Sequence, residues 1–172
     1  MAEPRSTQPR GSRVLGERGK PKPERSTPED IADPAAPRRV VNYALQRRAV
    51  LRGLYGGQAF NGFDICDADP YLLRAARFHG VPTEEPCPVC RVTDGRETLT
   101  HVTYVYGEQL GHIAGSAIDP ARLPGMAGEY GEFRVYVVEV CATCHWNHLV
   151  TSYMLGDGKP RRAPAKPRDL LD

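Results

Sequence analysis

Apolar positions along the chain change period near residue 90, from helical spacing before it to strand-like alternation after it. Between Arg38 and Tyr55, the residues Val40, Tyr43, Ala44, Val50, Leu51, Leu54 and Tyr55 project onto one face, which predicts a helix ending near Gly56-Gly57. Arg47 falls inside that face. It must either carry its stem outward to water or meet a carboxylate, and among Asp64, Asp67 and Asp69 the expected partner is Asp67. A second, shorter helix is predicted from Pro70, with Asp69 as N-cap, Pro70 at the first helical position and Gly80 as the stop. Its small apolar side, Leu72, Leu73 and Ala76, calls for the first helix as cover, so the two are expected to form a helical hairpin lying on a sheet.

Beyond Cys90 the chain reads as β-structure. Arg91-Val92-Thr93 and Arg96-Glu97-Thr98 flank Asp94-Gly95, a two-residue hairpin signal. Leu99 to Tyr106, Phe133 to Val140 and Leu149 to Leu155 are rich in Val, Thr and Tyr and predict three strands. Asp119-Pro120 begins a helix in the looser segment between the first two, which Pro124 and Gly125 are expected to cut short.

Composition divides the chain of 172 residues into three parts. Residues 1–37 and 156–172 are rich in proline and basic residues and poor in apolar ones, so both are expected to be disordered tails. Residues 38–155 remain as one domain whose modest core a metal would help to stabilise. That middle region contains no lysine, and from residue 40 to 155 nine arginines face twelve acids. Its acidity argues against extensive contact between the ordered domain and nucleic acid, leaving weak, salt-sensitive attraction to phosphates to the basic tails. No apolar run is long enough to suggest a membrane span, and no apolar segment follows the N-terminal charges as a secretory signal requires. Five cysteines without such a signal point to a reducing compartment, the cytoplasm.

Two Cys-x-x-Cys pairs, Cys87-Pro-Val-Cys90 and Cys141-Ala-Thr-Cys144, carry the chemistry. Two such pairs can meet as the jaws of a zinc ribbon and close four thiolates around one structural Zn²⁺. Four sulfurs leave no open position, so a catalytic zinc is not expected. His145 and His148 stand beside the second jaw, and one of them replacing a cysteine remains the alternative set. Cys66, flanked by Asp64 and Asp67, is either a small buried thiol or a redox sensor, and the neighbouring carboxylates oppose the second role.

Trp146, Asn147 and His148 follow the second jaw, so a rigid turn would present them as a binding surface; alternatively Trp146 packs into the core. Tyr104, Tyr106, Tyr130, Tyr136 and Tyr153 offer either a stacking surface or ordinary strand packing. His101 and Glu139 lie on two predicted strands and would make an acid–base pair, yet no nucleophile motif or phosphate-binding glycine loop accompanies them, and no residue is assigned a catalytic role. Of the other histidines, His79 ends the second helix and His112 lies in a loop, where structural or solvent-exposed roles are the simpler ones.

Four stretches resemble an actinobacterial zinc-ribbon-like family of unknown function, the DUF family numbered 5318. They are Val41-Asn42-Tyr43-Ala44-Leu45-Gln46-Arg47-Arg48, Cys66-Asp67-Ala68-Asp69-Pro70-Tyr71-Leu72-Leu73-Arg74-Ala75-Ala76, the first Cys pair, and Glu132 to Val140 running through the second pair to His148. The resemblance spans about residues 38–155 and implies a zinc-ribbon-like cytoplasmic protein without supplying an activity. Where the family has a small residue after the last cysteine, this chain has His145. The expected fold is therefore α+β: a helical hairpin on a small antiparallel sheet built around a four-cysteine zinc ribbon. The expected function is a non-enzymatic adaptor or regulator docking on a protein or nucleoprotein complex. A small enzyme using His101, Glu139 and His148, or a purely structural subunit, are the alternatives.

Overall fold

The computed structural model describes residues 33–56, 65–90 and 97–161. In chain order they form β1 (Arg38–Asn42), α1 (Ala44–Tyr55), α2 (Pro70–His79), β2 (Val81–Pro86), β3 (Thr98–Tyr106), α3 (Leu123–Glu129), β4 (Phe133–Val140) and β5 (Asn147–Leu155). The strands make one sheet in the order β1-β5-β4-β3-β2, and every neighbouring pair is antiparallel. The three valine- and tyrosine-rich strands expected from sequence are its centre; β1 and β2 close its two sides.

Cross-strand partners share a face, which sorts the core. Thr100, Val102 and Tyr104 stand opposite Val140, Val138 and Tyr136 on one face; His101, Thr103 and Val105 stand opposite Glu139, Val137 and Val135 on the other. α2 covers the first face, setting Leu72, Leu73 and Ala76 against Val102, Val138 and Val140. α1 covers the second, where Val50, Leu51 and Leu54 pack against Leu99, Trp146 and the cysteines. The helices thus lie on opposite faces of the sheet, and the expected hairpin is not supported. The chain between them is held at the second jaw, where the Ala68 N–H donates to the His145 carbonyl at 3.0 Å. Above α1, the segment from Leu110 to Ala127 buries Leu110, Ile118, Leu123, Met126 and Ala127 on Val105, Phe133, Val135 and Leu155.

Local chemistry explains most boundaries. Asp69 accepts hydrogen bonds from the N–H groups of Tyr71 and Leu72 at 2.7 and 3.0 Å, the N-cap expected for α2. Gly80 ends it where a Cβ would lie 2.3 Å from both the Ala76 carbonyl oxygen and Thr100 Cγ2. The first helix starts later than its apolar face suggests. Arg38 to Asn42 is instead a strand on β5, since Val40 and Val41 suit a strand once an edge is available to pair with. Asn42 Oδ1 then receives the Ala44 N–H at 2.8 Å, and the helix begins there. The helix after Asp119 also survives its expected breakers. A short 3₁₀ turn over Pro120–Arg122 runs into α3, and Pro124 falls in the first turn, where its missing N–H costs nothing.

The Asp94-Gly95 hairpin and most of the two tails fall outside the described residues. The inner ends of the tails join the fold. Ala35 packs against the core, the Gly156 N–H donates to the Pro34 carbonyl at 2.8 Å, and Arg161 forks onto Asp157 at 2.8 and 2.9 Å.

Candidate metal centre

β2 delivers Cys87 and β4 delivers Cys141, each followed by a tight turn that brings its second cysteine back. In the first turn the Cys90 N–H points at Cys87 Sγ, at 3.5 Å; in the second the His145 N–H returns to the Cys141 carbonyl and the Cys141 N–H donates to the Trp146 carbonyl. The two jaws face each other across β3. Cys87 Sγ lies 3.6 Å from Cys144 Sγ, Cys90 Sγ lies 3.7 Å from Cys141 Sγ, and all four sulfurs fall within 4.8 Å of one another. These distances are far too long for disulfide bonds, and all four cysteines stand outside any disulfide. A tetrahedron with metal–sulfur bonds of about 2.3 Å has edges of about 3.8 Å; the 3.6 and 3.7 Å contacts match that edge, and the four sulfurs together could hold a metal ion.

Burial favours the protonated form of most of these thiols. Burial pushes Cys87 up to about 11 and raises Cys90 and Cys144 as well. Cys141 is also opposed by burial, but the N–H groups of Cys144 and Thr143 and the thiols of Cys87 and Cys144 outweigh it and bring it down. A bound divalent ion would reverse this balance and hold the sulfurs as thiolates. Cys66 is half-buried beside the cluster, its thiol raised by burial despite a hydrogen bond with Cys144. It stands next to the four-sulfur group and not in it.

The residues after the second jaw are divided by the fold. Trp146, expected as a surface anchor or as core, is fully buried at 0% exposure and packs on the cysteines. His148 stacks on it, with ring centroids 5.9 Å apart and planes 12° from parallel, and sets Nδ1 2.7 Å from the Leu149 carbonyl oxygen. Asn147 is half-buried and donates to Asp67 Oδ1 at 2.8 Å. These three residues therefore form no exposed patch. They tie the second jaw to the core and to the loop before α2.

Arg47 reaches a different partner from the expected Asp67. Its Nε donates to Glu139 Oε1 at 2.6 Å, and the same oxygen accepts from Trp146 Nε1 at 2.8 Å. Glu139 interrupts the valine run of β4 and is 2% exposed, so it needs a cation, and α1 crossing that face supplies one. Asp67 is engaged by Asn147 instead. The sequence did contain the signal: an acid in a central apolar strand must find a partner. Glu139 also stands between His101 and His148 in one cross-strand row, so the residues of the enzyme reading do come together. His101 Nε2 is buried without a hydrogen-bond partner among the described residues.

His145 adopts φ = 65°, the left-handed conformation that glycine after the last ribbon cysteine would take without strain. Replacing it with glycine is expected to raise stability by about 1 kcal/mol, read as a thermal midpoint a few degrees higher in calorimetry of the metal-loaded protein. An unchanged or lower midpoint would show that the turn is not strained.

A model of a family of unknown function (DUF5318) matches residues 35–169. The uncharacterised protein Rv0049 of Mycobacterium tuberculosis (strain ATCC 25618 / H37Rv) is 49% identical over 124 residues, covering 72% of this chain and 87% of the relative. The uncharacterised protein Mb0050 of Mycobacterium bovis (strain ATCC BAA-935 / AF2122/97) matches to the same extent. No solved structure matches the chain.

Proposed function

The chain belongs to the family of unknown function DUF5318, so its role has to be read from its own site, and we propose that Cys87, Cys90, Cys141 and Cys144 hold one structural Zn²⁺ as the jaws of a zinc ribbon in a non-enzymatic adaptor or regulator. The sulfur spacing carries this reading: two contacts of 3.6 and 3.7 Å fit the edges of a zinc tetrahedron. Four thiolates complete the coordination of zinc and leave no position for a substrate or an activated water. When bound, the ion supplies charge that keeps buried thiolates ionised and fastens the end of β2 to the end of β4. Reduced cysteines in this arrangement suit the cytoplasm, where we assign the protein.

Glu139 supports the non-enzymatic half. Its side chain is 3% exposed and one of its oxygens already serves both Arg47 and Trp146, so a substrate has no approach to it as a base. The row through His101, Glu139 and His148 is thereby a brace beneath the metal turn. An adaptor acts through a partner, and the reading takes that partner to be a protein or nucleoprotein complex. The test is recovery of tagged protein from its native host, with and without nuclease, followed by mass spectrometry. A stoichiometric set of partner subunits is expected, with nuclease sensitivity reporting a nucleic-acid bridge. Recovery of the chain alone in both samples would contradict the adaptor reading.

A further inference from the structure

The sheet face turned away from the cysteines carries an aromatic surface that the metal centre does not use. Tyr104 and Tyr136 are cross-strand partners, and Tyr106 is paired with Arg134, so three tyrosines and an arginine stand on one face of β3 and β4. Tyr106 and Tyr136 meet edge to face with centroids 5.5 Å apart. α2 flanks them. Its Tyr71 lines an open groove of about 690 Å³ together with these tyrosines, and also a second groove of about 460 Å³ with Arg74, Phe78 and His79. Tyr71 is 82% exposed, Phe78 63% and Tyr106 49%, which makes a connected run of open rings out of what would be unremarked if scattered.

Charge selects the occupant. α2 carries Arg74, Arg77 and His79 and no carboxylate from Pro70 to His79. The tyrosine groove is lined by one charged residue, Asp69, whose Oδ1 is held by two N–H groups at the start of α2, where the helix dipole offsets its charge; the arginine stands in the adjoining groove, which Tyr71 shares. Nearby acids are already engaged, Asp67 by Asn147 and Glu132 by Arg38. Rings open for stacking, with exposed arginines near them, suit a single nucleic-acid strand: bases meet aromatic faces and phosphates meet arginines. An acidic peptide would engage the cations and leave the tyrosine faces unused.

We propose that this face binds single-stranded nucleic acid, with bases stacking on Tyr71 and Tyr106 and phosphates meeting Arg74 and Arg134. The proposal rests on the adaptor reading and narrows its partner to a nucleic-acid strand, using none of the four cysteines.

The test is fluorescence anisotropy of the full, zinc-loaded chain with a labelled oligothymidylate of about twelve nucleotides at two salt concentrations. Tyr71→Ala and Tyr106→Ala are each expected to weaken binding about tenfold or more without changing the salt dependence, and Tyr106→Phe to retain it. Arg74→Gln is expected to lower the salt slope by about one. The Tyr71 ring projects into water and Tyr106 is half exposed against Tyr136, and an unchanged thermal midpoint verifies that the variants fold. Three results would overturn the proposal: no binding by the parent chain at low salt, undiminished binding by the Tyr71→Ala/Tyr106→Ala variant, which would assign it to the basic tails, or equal displacement by an oligoglutamate peptide, which would make the face a protein-docking site. A protein partner recovered from the host despite any of these leaves the adaptor reading standing, so the two fail separately.

Discussion

Stripping the metal with a chelator, or replacing Cys87 and Cys141 together by serine, is expected to abolish the cooperative thermal transition of this chain. β2 and β4 are not neighbours; β3 lies between them, so an ion held by Cys87, Cys90, Cys141 and Cys144 ties the sheet across a strand. Ile65, Leu99 and Trp146 pack on the same sulfurs, so an ion held there would sit against one of the three apolar clusters among the described residues. Structural zinc contributes on the order of 10 kcal/mol or more in small modules, which matches the entire stability of about 5–15 kcal/mol typical of a domain. Without it, buried thiols and a sheet edge of six residues at Val81–Pro86 remain with little to hold them together. Circular dichroism through a temperature ramp reads the outcome. A chelated chain with the same far-ultraviolet spectrum and the same sharp transition would refute the structural role. Acid is expected to act in the same direction. Binding requires thiolates, and burial raises three of the four thiols, Cys87 to about 11, so protons compete more strongly than they would at exposed cysteines. Metal release should therefore begin at a higher pH than for a solvent-exposed site and grow as pH falls.

Arg47→Ala is expected to cost about 3 kcal/mol or more, because it leaves the Glu139 carboxylate buried without its cation. Its stem is about a quarter exposed, with 27% of the side chain open to water, which places the loss toward the lower end of the range for broken buried pairs. Glu139→Ala should cost at least as much, since it strands both the guanidinium and the buried indole N–H of Trp146. Glu139→Gln separates the two roles: an amide oxygen can still accept from Trp146, while the charge attraction to Arg47 is lost. An intermediate loss is expected for it. Asp67→Asn tests the partner that sequence proximity favours. It removes no ion pair and keeps an oxygen for Asn147, so it should change stability by about 0.5 kcal/mol or less. Chemical denaturation of the metal-loaded variants measures all four. A larger loss at Asp67 than at Glu139 would contradict the assignment.

The features legible in the sequence were those written into a few adjacent residues. Asp69, Pro70 and Gly80 define α2 within its own span, and alternating valines define β4 from Phe133 to Val140. The paired cysteines announce their meeting because two residues of spacing are enough to build a jaw. Features that depend on distant pairing were hidden. Val40 fits the predicted helix face as well as a strand, and only the open edge of β5 decides for the strand. Arg47 required a carboxylate, but the one it meets is 92 positions away, and nearness along the chain pointed to Asp67. Placement of the helices was hidden for the same reason, since an apolar side at Leu72, Leu73 and Ala76 does not say which apolar surface will cover it. The strand tyrosines divide similarly. Tyr130 and Tyr153 pack against the core under the Leu110 to Ala127 segment, whereas Tyr104, Tyr106 and Tyr136 line the open groove. Period along each strand assigns a face, but which face stays open follows from where α2 and that segment settle.

The most direct measurement is zinc-edge X-ray absorption of the chain purified from its host, together with its metal content. The account predicts one zinc per chain with four sulfur neighbours at about 2.3 Å. An imidazole nitrogen in that shell would bring His145 or His148 into the site in place of a cysteine, and a chain that folds with no metal at all would contradict the central claim.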